Sequence, residues 1–315
     1  MPEDRSLHKL DVGYQSTLQI HWFGASCYLI QLGDKSILVD PYFSYQNAGR
    51  VLFSRISSDR SYVQQELAGL PIPSAIFISH THFDHALDVA TVHRQSGWQA
   101  VPIYGSDTAY NILRGYGSDV SGYWHKAVTS EGWHRCDLDT HVRYQAIPTD
   151  HGPQLPGVRL YMGQVSNPRT SPPTRAEDFK CGDTVAYLFE LANKQVTFRI
   201  YMTAAPTSAP AGLPIGPVGP IDAAIICVAD WRLARPYPDP CINGLHPHQI
   251  IASHFDDFLL LSGQKRAVIP YADLNRFVRH VQTLACYPEF QALRVPDVDS
   301  VLLVRKSHKP GIAGQ

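Results

Sequence analysis

The chain has little of anything that would place it in a membrane, on nucleic acid or in a disulfide scaffold. None of its 315 residues lies in a run near the ~18–20 consecutive apolar residues of a membrane span. Lysine and arginine number 27 against 28 acidic residues, a formal charge of −1. That balance supplies no bulk attraction to nucleic acid or an anionic bilayer, so a small-molecule substrate is expected. Six cysteines, at positions 27, 136, 181, 227, 241 and 286, are far apart and form no C-x-x-C pair, which removes a zinc ribbon or a thioredoxin-like motif. Cys27 and Cys227 sit in apolar runs and read as reduced core residues, since a chain this long needs no disulfide framework. Met1-Pro2-Glu3-Asp4-Arg5 lacks the basic-then-apolar layout of a secretory signal, which favours a cytoplasmic location. Composition leaves the class open beyond a soluble globular protein with ample core, 44% hydrophobic and 17% charged. Oligomeric state has no signature in it.

Histidine is what the chain has in quantity: fifteen residues, clustered. The densest cluster is Ser79-His80-Thr81-His82-Phe83-Asp84-His85, directly after the apolar run Ala75-Ile76-Phe77-Ile78. A buried strand ending this way delivers three imidazoles and a carboxylate to one point at a sheet edge. Neutral imidazole nitrogen and carboxylate oxygen are the ligands that zinc and related divalent metals favour. Without a cation, so many ligand groups on one short turn would desolvate and repel one another.

Elsewhere the pattern alternates short strands, turns and a few helices. Leu18–Phe23, Cys27–Leu32 and Ser36–Val39 read as strands, the last two joined through Gly33-Asp34. Arg50–Leu70 has room for a short helix that Pro71 and Pro73 stop. Leu87–Gln95 is helical in pattern, Val101–Tyr104 is a strand, and Ser106 with Asp107 caps a helix through Leu113. Val142–Pro148, Thr184–Leu191, Gln195–Tyr201, Ile221–Val228 and Ala267–Pro270 are the remaining expected strands. Pro153–Asp178 and Ala204–Pro220 are too rich in proline for long regular structure. Residues 1–17 form a polar arm, and no linker divides residues 18–315, so one domain is expected, an α/β sandwich of two packed sheets.

The H-x-H-x-D-H motif, with Asp150-His151-Gly152 and Ser253-His254-Phe255-Asp256-Asp257-Phe258 following in that order, resembles the metallo-β-lactamase-fold superfamily. His21 to Ile30 and Ser36 to Pro41 resemble its opening strands. The resemblance implies an αββα sandwich of two mixed sheets flanked by helices, with the site at one edge. It implies that His80, His82 and His151 hold one metal, and that Asp84, His85 and His254 hold a second. Zinc is the expected ion, two per chain, with manganese or iron as alternatives. A site of three histidines with an open position is what catalytic zinc chemistry requires. A second ion ~3.5–4 Å away would serve hydrolysis as in other two-metal enzymes, with Asp84 placed to accept a proton from water.

The chain departs from the family where most two-metal members carry a bridging Asp, in a Gly-Asp-Thr-like segment. Here the sequence reads Thr203-Ala204-Ala205-Pro206. Asp183, in Gly182-Asp183-Thr184, has the right letters but precedes the hairpin. Asp256, two residues beyond His254 and so on the same face of an extended segment, is the expected substitute ligand and a second catalytic candidate. Small residues at the bridging position and a His-Phe-Asp-Asp-Phe ending resemble a branch ending in His-Trp-Asp-Asp-Phe. Asp40 matches a family aspartate that orients a ligand histidine. Asn111 and Arg114, on the helix after Ser106, are expected on its solvated face. The function implied is a metal-dependent hydrolase, nearer the lactonase and phosphodiesterase members than the antibiotic-degrading ones, acting on an ester, lactone, amide or phosphodiester. Arginines in Gly157–Arg175 are candidates to receive a small phosphate. The alternatives are an iron-binding redox protein on the same scaffold and a metal-poor binding module, which metal content would separate.

Overall fold

Alternation of side chains about the strand Ala75–Phe77 sets the architecture. Ala75 and Phe77 face one apolar core, while Ile76 faces a second on the other side of the sheet. A computed structural model describes residues 16–127, 132–137, 139, 141–261, 264, 267–284 and 292–306. Two seven-stranded mixed sheets pack face to face. In chain order the strands are β1 (Thr17–Gly24), β2 (Cys27–Leu32), β3 (Lys35–Val39), β4 (Ala75–Phe77), β5 (Ile103–Gly105), β6 (Trp124–Lys126), β7 (His134–Arg135) and β8 (Val142–Thr149). They continue as β9 (Thr184–Ala192), β10 (Thr197–Thr203), β11 (Ala223–Cys227), β12 (Gln249–Ser253), β13 (Ala292–Arg294) and β14 (Ser300–Arg305). The first sheet runs β14-β1-β2-β3-β4-β5-β6, the second β13-β12-β11-β10-β9-β8-β7.

Phe77 shows how the sheets meet. Its ring lies 5.2 Å from Tyr144, 5.2 Å from Tyr187 and 4.8 Å from Phe189, all edge-on from the opposite sheet. Helices α2 (Arg60–Leu67), α4 (Val89–His93) and α5 (Asp107–Arg114) bury Val63, Val92 and Ile112 against the outer face of the first sheet. Helices α7 (Asp239–Leu245) and α8 (Leu274–Gln282) bury Ile242 and Phe277 with the second. Short helices α1 (Ala48–Phe53), α3 (Phe83–Ala86) and α6 (Ser118–Ser121) complete the set. The expected αββα sandwich is therefore the observed one.

Strand direction places the site. β3, β4, β5 and β6 are mutually parallel, as are β10, β11 and β12, so their carboxyl ends lie along one edge. Two antiparallel steps, β10 to β9 and β9 to β8, bring the end of β8 to the same side. Loops that follow such ends are where ligands bind in sheets of this kind.

Most expected strands are present with ends shifted by one or two residues. Arg50–Leu70 yields α2 and the last part of α1. Ala267–Pro270 is not a sheet strand: Val268 makes an isolated bridge to Asp256, and a 3-10 turn begins at Pro270. Of the arm expected over residues 1–17, residues 1–15 lie outside the described residues, as does Cys286, while Thr17 already opens β1.

Candidate metal centre

The motif is presented by a strand that stops abruptly. β4 ends at Phe77, and backbone bonds from Val185 N–H to Ser79 O (3.0 Å) and from Thr81 N–H to Cys181 O (2.9 Å) anchor the following turn to the second sheet. Asp84 and His85 then lie in α3, which returns both side chains towards the strand end. His151 follows β8, and His254 follows β12 with φ of +54°, a left-handed backbone that turns its ring back to the same edge. Gly152 lets the His151 turn close: an added Cβ would meet Ala234 Cβ at 2.8 Å and Pro206 O at 2.9 Å.

Six of the expected ligands converge as two groups of three. The ligand atoms of His80, His82 and His151 all lie within 4.8 Å of one another, as do those of Asp84, His85 and His254. Adjacent rings of the two groups, His80 and His85, have centroids 3.9 Å apart, so the groups share one centre. In the first group two of the three rings, those of His80 and His151, are oriented from behind. Ser79 Oγ lies 3.1 Å from His80 Nδ1, and His151 Nδ1 lies 2.8 Å from Gly152 O, which points the Nε2 atoms inward. His80 Nε2 and His82 Nε2 are buried with no hydrogen-bond partner among the described residues. Burial drives the His82 imidazole down to about 3 and that of His151 to about 4, and His151 adds to the effect at His82. Neutral, desolvated imidazoles with unsatisfied inward nitrogens fit a divalent cation.

The second group contains its own charges. Asp84 Oδ2 is 3.5 Å from His85 Nε2 and 3.3 Å from His254 Nε2. Behind them Asp40 Oδ2 lies 2.9 Å from His85 Nδ1, while its carboxylate accepts Ser79 N–H (2.7 Å) and Ser79 Oγ–H (2.5 Å). Burial opposes protonation of His85, but the Asp84 and Asp40 carboxylates outweigh it and push the ring up to about 10. Asp40 thus occupies the orienting position expected of it, itself held at φ +44° at the end of β3.

Asp256 is not placed as a substitute ligand. Its Oδ1 accepts the N–H of Ala25 at 2.8 Å, and its Oδ2 is 3.2 Å from the Tyr45 hydroxyl. The same-face argument fails because His254 is left-handed, not extended, and so breaks the two-residue alternation. Asp183 is exposed and bonded to Gln164 (2.9 Å), away from both groups. Ala204 and Ala205 occupy the bridging position, buried. Asn111 is buried, not solvated: its Nδ2 donates to Val165 O at 2.6 Å and holds the loop after β8, whereas Arg114 is exposed as expected. The loop arginines have acidic partners, Arg159 with Asp150 (2.5 Å), Arg169 with Asp178 (3.5 Å) and Arg175 with Glu177 (2.8 Å).

Sequence reasoning missed two aspartates. Asp230, three residues past β11 and at φ +53°, lines the cleft above the ligand groups; burial raises its carboxyl to about 7. The signal was available, an acid immediately after the apolar run Ala223–Ala229. Asp88 is buried and accepts Phe43 N–H (2.6 Å), Ser44 N–H (2.7 Å) and the Ser58 hydroxyl, tying the 43–58 loop to the motif helices. No local pattern marks that role.

A model of the beta-lactamase superfamily domain matches residues 35–199, just over half of the chain. A UPF0173 metal-dependent hydrolase of Pyrobaculum islandicum is 31% identical over 90 residues, covering 28% of this chain and 32% of its own. The chain spans less than a third of the length of the curated relatives it matches. A metallo hydrolase from the hyperthermophilic archaeon Ignicoccus hospitalis superposes with a TM-score of 0.59 at 14% identity, over 92% of this chain and 99% of that one. CmlA, a diiron β-hydroxylase from Streptomyces venezuelae, does so with a TM-score of 0.51 at 14% identity, over 92% and 54%. At such identities the likeness is one of fold.

Proposed function

Since the chain belongs to the beta-lactamase superfamily, we propose that it is a metal-dependent hydrolase of a small molecule, cleaving an ester, lactone or phosphodiester bond. The observation that carries this reading is the pair of buried three-residue ligand groups meeting at one strand-end edge. His80, His82 and His151 would hold one divalent cation, zinc by ligand preference, and Asp84, His85 and His254 a second. Bound there, the cations would supply Lewis acidity and lower the pKa of water towards neutrality.

The chain's own residues have separable tasks. Asp84, which contacts His85 and His254, would take a proton from an attacking water. Asp40 fixes the ring of His85 and Ser79 that of His80, so neither must reorganise during reaction. Asp230, which burial keeps partly protonated near neutral pH, can return a proton to a leaving group. With alanines at the bridging position, and with Asp84 already engaged by His85 and His254, the second ion would be held more weakly than the first. Elemental analysis of freshly purified protein, with a panel of ester, lactone and phosphodiester substrates, tests the proposal. Zinc or manganese with turnover supports it. Stoichiometric iron with no hydrolysis would replace it with redox chemistry, and absence of any metal with a binding role.

A further inference from the structure

The cleft over the ligand groups is about 780 Å³, and its outer walls are apolar. Val51 and Leu52 of α1 form one side, Leu155 and Leu160 of the loop after β8 another, with Leu233 and Phe258 between them. Besides the ligand groups, the charged residues that line it are Asp230, Arg232, Arg235 and Asp273, with Arg232 paired to Asp273 at 3.1 Å.

α1 is the unusual part. It ends Val51-Leu52-Phe53, yet none of its six residues is buried; Leu52 is 55% and Phe53 81% exposed, and Leu155 across the cleft is 53% exposed. Nor is the helix loosely attached. Asn47 caps it by accepting Arg50 N–H at 2.8 Å, and Asp88 fixes the preceding segment through Phe43 and Ser44. Polar ties therefore hold an apolar helix end at the mouth of the cleft, where a contiguous patch retains surface still to be buried. Of the two arginines that line the cleft, Arg232 is paired with Asp273 and Arg235 is exposed, so the apolar walls and not a cluster of cations dominate the mouth.

We propose that the substrate carries an alkyl or acyl chain, which lies between α1 and the Leu155–Leu160 loop while its scissile group reaches the ligand groups. This rests on the hydrolase reading and specifies its substrate class. The metal-loaded protein would be titrated by calorimetry with straight-chain carboxylates from acetate to decanoate, below micelle formation. Affinity should climb about three- to fourfold per methylene, the increment for burying one CH₂. The double variant Leu52→Ser/Leu155→Ser alters only exposed side chains and should flatten that slope. An affinity independent of chain length, or a slope unchanged in the variant, overturns the proposal. So does binding to phosphatidylcholine vesicles without binding of monomeric decanoate, which would make the patch a membrane contact. p-Nitrophenyl esters of the same acids separate the two readings. Equal turnover of acetate and decanoate esters overturns the chain-binding proposal and leaves hydrolysis standing. No turnover of any ester, lactone or phosphodiester, with a retained carboxylate slope, does the reverse.

Discussion

The two ligand groups are built from the same few residue types and are physically unlike. His80, His82 and His151 are neutral imidazoles, and the Nε2 atoms of His80 and His82 have no hydrogen-bond partner among the described residues. Asp84 lies between His85 Nε2 and His254 Nε2, and Asp40 partners His85 from behind, although His254 Nδ1 is buried without a partner among the described residues. A cation added to the first group relieves unsatisfied polar atoms; added to the second it must displace an internal ion pair and its proton. Preorganisation and affinity thus separate: the carboxylate-bearing group is the better ordered, and the all-histidine group has more to gain from metal.

The largest effect should come from the first group. His82→Ala is expected to remove the metal held there and lower hydrolysis by ~10³-fold or more, since the activated water is lost with it. The circular dichroism spectrum should be unchanged, because the side chain sits at a sheet edge; full activity would end the metal reading. A smaller effect is expected from Asp40→Asn. It should lower metal affinity of the second group by about 10–100-fold, as loss of an orienting partner does. Metal analysis of that variant should find the first site still loaded, and equal loss from both would erase the distinction.

Asp256→Asn should leave both metals in place and instead cost about 1–3 kcal/mol of stability, the range for weakening a buried charge-assisted bond. The bond in question holds Ala25 N–H, at a residue with φ of +45° that depends on outside support. Denaturant unfolding and metal content together check this.

A further effect, confined to a pH window, concerns Asp230. Its folded-state pKa is raised to about 7 from an ordinary 3.8, so the folded protein holds a proton the unfolded chain has released. Its contribution to stability is present below pH 4 and lost as pH rises to 7. Asp230→Asn should therefore melt higher than wild type at pH 7 and converge with it near pH 4. Parallel melting curves across that range would remove the burial argument.

The two ligand groups were legible because their chemistry is local: the five residues from His80 to Asp84 bring His80, His82 and Asp84 together, and a strand-ending His is recognisable in sequence. The failures share one cause, dependence on distant backbone geometry. Asp256 misled because alternation assumes extended residues, and His254 is not extended. Ala267–Pro270 has the composition of a strand, but no sheet position is available to it beyond a bridge at Val268. α1 and α2 were blurred into one segment because each is only one to two turns long. Ser300–Arg305 went unrecognised because its partner is β1, at the other end of the chain.

That last pairing has a temporal consequence. Among the described strands β1 is made first, and its six residues from Thr17 to Trp22 align with β14, the last of them. Until residue 305 is available, the sheet that carries the metal motif has an open, strongly apolar border. Contacts of such wide sequence separation form late and slowly. A nascent chain that already holds both ligand groups is therefore still templated for pairing with a stranger, and shielding that border during synthesis should decide how much folded protein accumulates.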